Sequence, residues 1–147
     1  MDFSMSEFLI ETAVPEDELI ISRTDLQGNI TYANETFCEI SGYTLDELLG
    51  KSHNIVRHPD MPKSVFANLW SIIEEKQQWK GIVKNLRKDK GFYWVSAIIS
   101  GVYKNGELVE YKSLRTPISY NEKLEHQRLY DKIREENGEV KRTIIYK

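Results

Sequence analysis

Hydrophobic and polar positions in the first part of the chain predict a strand hairpin. The apolar run at residues 19–21 begins a strand that ends near Asp25, and residues 27–29 supply Gln, Gly and Asn for a tight turn. A second apolar stretch at residues 30–33 is the expected partner strand. These positions therefore predict the first two antiparallel strands of a sheet.

Two short helices are predicted to follow this hairpin. Asn34 can cap a helix that ends at Gly42, because glycine reaches the left-handed conformation at little cost. Residues 44–47, with the sequence Thr-Leu-Asp-Glu, have the spacing of a capping box and begin a second helix that Gly50 closes. The elements are too short to form a helical bundle.

A polar segment and one longer helix come next. Residues 51–60 are expected to form an irregular loop or a single turn, because Pro59 disfavours an α conformation at His58. Pro62 suits the first position of a helix that runs to about Lys76. Its apolar stripe has helical spacing and comprises Val65, Phe66, Leu69, Trp70, Ile72 and Ile73.

Three later stretches are rich in aromatic and β-branched residues, and turn residues separate them. They predict three antiparallel strands at residues 79–87, 92–103 and 108–118. Asn121 is expected to cap a terminal helix that carries Leu124, Leu129, Tyr130 and Ile133, before a β-prone tail at 140–146.

This order of elements predicts an α+β fold. Two blocks of strands separated by helices can join into a five-stranded antiparallel sheet, with short helices covering one face and leaving a pocket. We expect one domain at residues 19–118. Residues 1–18 would form an N-terminal cap segment, and residues 119–147 would form a C-terminal helix and tail that can serve as a signalling connector.

Composition narrows the class of protein. The chain has 147 residues, 40% of them hydrophobic, which is enough for one core. A net charge of -3 does not indicate a nucleic-acid-binding protein. The single cysteine, Cys38, excludes an internal disulfide framework and suits a reducing compartment. No apolar run approaches the length of a membrane span. We therefore expect a cytoplasmic segment, at most held at the inner face of a membrane through a receptor.

Sequence motifs add a family resemblance. The string Tyr-Ala-Asn at residues 32–34 and Ser-Gly-Tyr at 41–43 resemble the opening of a PAS domain. Residues 53–63, His-Asn-Ile-Val-Arg-His-Pro-Asp-Met-Pro-Lys, resemble the aerotaxis receptors, as do Trp-Lys-Gly at 79–81 and Tyr-Trp-Val at 93–95. The resemblance covers roughly residues 19–116.

The resemblance implies noncovalent binding of FAD. A flavin site needs aromatic surface, amide hydrogen bonders and a cation for the pyrophosphate. Trp70 and Trp79 would offer ring surfaces, Asn34 and Asn85 would serve a flavin edge, and Arg57 would pair with phosphate. Strand alternation supports an inward Asn85. The complete set of candidates is Asn34, His53, Asn54, Arg57, His58, Asp60, Trp70, Trp79, Asn85 and Tyr93.

Other readings of these residues remain open. His53 or His58 could be the axial ligand of a heme-binding PAS gas sensor, and Trp70 and Trp79 could fill the pocket of a ligand-free interaction module. A metal site is disfavoured because the histidines lack metal-ligand spacing. Cys38 is expected to be a packing residue, since the Asn-Cys-Arg-Phe-Leu-Gln string of light-sensing PAS relatives is missing. No catalytic motif is present, so no enzyme is expected.

The resemblance also suggests a mechanism and a partner. An oxidised flavin accepts a hydrogen bond at N5, whereas a flavin protonated there donates one, and the Asn85 amide can serve both by rotating. A shift of its strand or of the terminal helix would then change a contact with a chemotaxis-type receptor or signalling domain, in cis or in trans. A homodimer is also possible in such an arrangement.

Overall fold

One antiparallel sheet dominates the fold. The computed structural model describes residues 10–139. The sheet has the strand order β2-β1-β5-β4-β3, so the two strand blocks meet where β1 pairs with β5. The strands are β1 (Ile20–Thr24), β2 (Ile30–Ala33), β3 (Trp79–Leu86), β4 (Phe92–Lys104) and β5 (Glu107–Thr116).

Helices connect the two strand blocks, as predicted. Asn34 caps the first helix by accepting a hydrogen bond from the Phe37 amide, and Gly42 ends it at φ 81°. Thr44 and Glu47 form the expected capping box of the next helix. The helices are α1 (Glu35–Ser41), α2 (Leu45–Leu48), a 3₁₀ helix (His53–Val56), α3 (Lys63–Glu74) and α4 (Tyr120–Glu136).

The two faces of the sheet have different partners. Odd-numbered residues of β3 face α3, since the Trp79 indole Nε1 donates to Asn68 of that helix at 3.0 Å. Residues of opposite parity face α4, where Trp94 stacks on Tyr130 with ring centroids 6.3 Å apart. The predicted α+β fold, a five-stranded antiparallel sheet with short helices on its inner face, is confirmed. The terminal helix α4 packs on the outer face of the sheet.

The start of α4 differs from the prediction. Ser119, not Asn121, is the N-cap, because its hydroxyl accepts from the Glu122 amide while the Glu122 carboxylate accepts from the Ser119 amide. The sequence contains both signals, and the complete capping box prevails over the single asparagine. The β-prone tail predicted at 140–146 lies outside the described residues.

Residues before the first strand also join the fold. The Thr12 amide donates to the Phe92 carbonyl at 2.8 Å, and Val14 is buried in the core. Lys123 of α4 lies 2.6 Å from the Glu11 carboxylate. The described part of the N-terminal segment therefore contacts both β4 and α4. Within residues 10–139, no helix has the length and apolarity to cross a bilayer.

Candidate ligand-binding site

A cavity of about 410 Å³ lies between the inner face of the sheet, the 3₁₀ helix and α3. Its volume is within the range of small-molecule sites. Strands β1, β3, β4 and β5 contribute one wall, and aromatic and aliphatic side chains of α3 contribute the other. Of the predicted site residues, five line this cavity: His53, Asn54, Arg57, Trp70 and Asn85.

Arg57 supplies a cation at the solvent-exposed side of the cavity. Its guanidinium carbon lies 3.7 Å from the centroid of the Phe66 ring, so a cation–π contact fixes the side chain on α3. Partial burial lowers the pKa of Arg57 below its usual value. The backbone of Arg57 forms an isolated bridge with Asn85, which ties the loop to the edge strand β3. An anionic ligand group at this side would meet a fork of donors.

Trp70 and Tyr111 form an aromatic wall. Their ring centroids are 5.5 Å apart at an interplanar angle of 71°, so the pair joins α3 to β5 by an edge contact. Trp70 is 44% exposed although it lies on the apolar helix, which leaves ring surface available to a ligand. Tyr111 was not among the predicted site residues.

Asn85 brings an amide into the cavity wall. The residue is 5% exposed and is directly opposite Tyr93 in the β3–β4 register. Tyr93 is fully buried beyond the cavity lining, and burial raises the pKa of its hydroxyl to about 12, so it stays neutral. Asn85 faces the cavity, as strand alternation predicts, and Val83, two residues earlier on the same face of β3, also lines it.

A buried arginine lies at the sheet side of the same cavity. Arg115 is 3% exposed, and one of its Nη atoms contacts Ser22 Oγ at 2.7 Å and His53 Nε2 at 2.6 Å. Ser22 Oγ and His53 Nε2 are 3.0 Å apart, which closes a triangle of polar groups. Phe37 stacks on the His53 ring and lies under the Arg115 guanidinium.

The protonation states within this triangle follow from burial. Desolvation, followed by the positive charge of Arg115, lowers the pKa of His53 to about 3, so its imidazole is neutral. Nε2 then accepts from the Arg115 guanidinium. Burial lowers the pKa of Arg115 to about 10, which leaves it protonated at neutral pH.

Two predicted candidates lie on the inner side of the fold but outside the cavity lining. The Asn34 side chain accepts from the Ile21 and Phe37 amides and donates to the Leu19 carbonyl, so it links β1 to α1. The Trp79 indole folds over Gly81, where an added Cβ would lie 2.4 Å from the ring. Both residues therefore support the fold instead of contributing surface to the cavity.

His58 and Asp60 are on the other side of the β3 edge. His58 is completely buried, with Nδ1 accepting from the Asp60 amide at 3.0 Å. Asp60 Oδ2 lies 3.2 Å from Lys84 Nζ, and Asp60 Oδ1 lies 3.7 Å from Arg134 of α4. Lys84 also donates to Gln127 of α4 at 3.0 Å. We name His58, Asp60, Lys84 and Arg134 the Asp60 cluster.

The Asp60 cluster joins the cavity loop to the terminal helix. The loop residue Arg57 lines the cavity, and three positions later Asp60 contacts the opposite face of the sheet. Strand β3 has the same arrangement, because Asn85 faces the cavity while Lys84 faces α4. Two chain segments thus lead directly from the cavity to α4.

The donor set suits an organic anion better than a metal ion. The residues that line the cavity supply aromatic surface, three side-chain amides, hydroxyls, two guanidinium groups and one lysine. Residues 10–139 hold no cluster of three or more His, Cys, Asp or Glu side chains arranged for a metal. Cys38 lies on α1, is not part of the cavity lining, and is only partly buried.

Comparisons with known proteins agree with this architecture. A family model described as the PAS fold matches residues 30–115. The chain belongs to the PAS fold family. This PAS domain is 49% identical over 105 residues to the aerotaxis receptor of Escherichia coli K12. The matched region is 71% of this chain and 21% of the receptor. The predicted resemblance to aerotaxis receptors is thereby confirmed.

A second relative is the nitrogen fixation regulatory protein of Klebsiella pneumoniae, 35% identical over 120 residues, 81% of the chain and 24% of the relative. The chain thus spans about a quarter or less of these curated relatives.

Solved structures agree on the fold. The PAS domain of a Colwellia psychrerythraea protein matches with a TM-score of 0.63 and 25% identity, over 68% of this chain and 86% of that one. The light-state structure of the Aureochrome1 LOV blue-light photoreceptor matches with a TM-score of 0.65 and 21% identity, over 80% and 91%. The PAS domain therefore has the same fold as a photoreceptor domain, while its one cysteine lies away from the cavity lining.

Proposed function

We propose that this PAS domain binds FAD noncovalently and reports redox state or oxygen to a signalling partner, without catalysing a reaction. The observation that carries this proposal is the convergence of Arg57, Trp70 and Asn85 on one cavity. The relatives named as an aerotaxis receptor and a nitrogen fixation regulatory protein support a sensor of this class.

The residues present fit a flavin dinucleotide. Trp70 and Tyr111 offer ring surface for a planar heterocycle, and Arg57, held on Phe66 near solvent, can pair with phosphate oxygens. Asn85 brings an amide that can donate or accept, so it can follow a change in the protonation of the ring edge. Bound FAD would supply a redox centre whose charge and protonation change with electron flow.

The route of the signal follows from strand alternation. A change in the hydrogen bonds of the Asn85 amide would shift β3, and the preceding residue, Lys84, contacts both Asp60 and Gln127 of α4. We propose that residues 119–147 are a connector through which this movement reaches a chemotaxis-type receptor or signalling domain, in cis or in trans. A cytoplasmic location, and a homodimer formed through the connector, fit that output.

The structure offers little support for the heme alternative. His53 Nε2 accepts from Arg115 and Ser22, so it does not present a lone pair for iron. His58 is buried beside the Asp60 carboxylate, on the other side of the β3 edge from the cavity. The ligand-free alternative requires Trp70 and Trp79 to fill the pocket, whereas Trp79 covers Gly81 and about 410 Å³ remains.

An absorption spectrum of the purified protein tests the proposal directly. We expect paired flavin bands in the near ultraviolet and blue, and release of FAD on denaturation, identified by mass. A single intense Soret band would establish the heme sensor instead. Purification without a chromophore, together with no binding of added FAD, would establish the ligand-free module.

A further inference from the structure

Arg115 stands apart from the other charged residues of the core. Arg134, which is also buried, has Asp60 and Asp131 nearby, whereas no described residue forms an ion pair with Arg115. The second Nη atom of Arg115 has no hydrogen-bond partner among residues 10–139. A buried charge without a counter-ion is costly, so such a charge indicates a missing anionic partner.

The neighbours of Arg115 do not neutralise its charge. His53 is held neutral, Tyr93 keeps its proton, and Ser22 offers only a hydroxyl dipole. The Phe37 ring lies 4.9 Å from the guanidinium carbon and provides a cation–π contact. All of these groups stabilise the position of the guanidinium but leave a full positive charge in the cavity wall.

A flavin ring acquires charge when it is reduced. Uptake of two electrons from an external reductant and one proton from the solvent leaves the ring with one additional negative charge. A fixed positive charge in a desolvated wall stabilises that form more than the neutral oxidised form. The cation at the exposed side, Arg57, is better placed to pair with phosphate than to act on the ring.

We propose that Arg115 is the counter-charge for the reduced ring and thereby raises the reduction potential of the bound flavin, with His53 and Ser22 as its positioning residues. This inference rests on the proposed flavin binding. It assigns the two guanidinium groups of the cavity separate roles, Arg57 in retention and Arg115 in redox poise.

The test is a reductive titration of the FAD-loaded protein with dithionite and a reference dye. Arg115→Gln removes the charge at similar length, and we expect the equilibrium constant for two-electron reduction to fall at least tenfold, a midpoint about 30 mV lower. Arg115→Lys keeps the charge and is expected to stay within threefold of wild type. Arg23→Gln is the control, because Arg23 is an exposed arginine paired with Glu110.

A second variant is used if Arg115→Gln does not fold or does not bind flavin. Ser113→Asp places a carboxylate two residues away on the same face of β5, and the same tenfold decrease is expected while Arg115 stays in place. If the wild type binds FAD but Arg115→Gln has the same potential, the role of Arg115 is overturned while the proposed function stands. Where Arg115→Gln does not fold or does not bind FAD, an unchanged potential in Ser113→Asp has the same meaning. A wild type that binds no FAD overturns the proposed function as well, so the two failures are distinguishable.

Discussion

At the scale of single residues, the candidate side chains fall into two groups: some line the cavity and can contact a ligand, and others support the fold. Asn34 illustrates the second group, because three of the four hydrogen-bonding positions of its side-chain amide are used by backbone groups. Arg57 illustrates the first group, since its charge meets an aromatic ring and the cavity but no described carboxylate. The two arginines of the cavity are therefore the residues most open to direct testing.

Replacement of Arg57 by alanine is expected to weaken FAD binding by tenfold to a hundredfold, because a charge-assisted contact with phosphate contributes about 1.5–3 kcal/mol. The domain should remain folded, since Arg57 is exposed. Flavin fluorescence titration and circular dichroism measure the two properties side by side. Arg23→Ala is the control, and unchanged affinity in Arg57→Ala would remove this residue from the site.

The pKa of His53 predicts a pH dependence of stability for the ligand-free protein. The folded state keeps His53 neutral down to about pH 3, whereas the unfolded chain binds a proton near pH 6.5. Protons therefore favour the unfolded state as the pH falls below 6.5, and about 2 kcal/mol of stability should be lost by pH 5.

Urea unfolding at pH 7.5 and pH 5 measures this loss. His53→Gln should lose correspondingly less stability over this interval, while His126→Gln on α4 should behave as the wild type does. An equal loss in wild type and His53→Gln would show that another group carries the pH dependence.

At the scale of elements, β3 and the loop before α3 are the parts that connect the cavity with α4. Both have one residue at the cavity and another in the Asp60 cluster. Tyr130 adds a hydrogen bond from its hydroxyl to the Ile82 carbonyl of β3. The terminal helix is thus held to the edge strand by buried ionic and polar contacts, which a shift of β3 would change.

Replacement of Lys84 by methionine is expected to lower the free energy of unfolding by about 3 kcal/mol, because it leaves Asp60 buried without its nearest cation. Lys80→Met is the matched control, since Lys80 is exposed and shares the strand and the parity of Lys84. Denaturant unfolding of both variants gives the comparison. Equal stability of the two variants would show that the cluster does not hold α4 in place.

At the scale of the whole molecule, the local patterns of the sequence were sufficient for the elements and for their pairing into one sheet. Turn glycines, the caps at Asn34 and Thr44, and alternation in β3 act within a few residues, so they can be recognised without knowing the fold. The exception at α4 is also local, because two capping signals compete there and the reciprocal one at Ser119 prevails.

The candidate site was harder to predict from the sequence, because it depends on contacts between segments that are distant in the chain. Arg115 reaches His53 and Ser22 only because β5 pairs with β1, and nothing near Arg115 in the chain reveals those partners. The shared parity of Tyr111, Ser113 and Arg115 is the one signal that could have indicated an inward face of β5. His58 and Asp60 follow Arg57 closely in the sequence, yet the chain turns around the sheet edge between them.

The central claim, that the redox state of a bound flavin reaches α4 through Asn85, is tested most directly by hydrogen exchange. The FAD-loaded protein is compared in its oxidised and dithionite-reduced states, alongside Asn85→Asp and the control Asn68→Asp, whose amide lies outside the cavity lining. We expect amide exchange in β3 and α4 to differ at least threefold between the two states in wild type and Asn68→Asp, and this difference to disappear in Asn85→Asp. Identical exchange of α4 in the oxidised and reduced wild type would contradict the account.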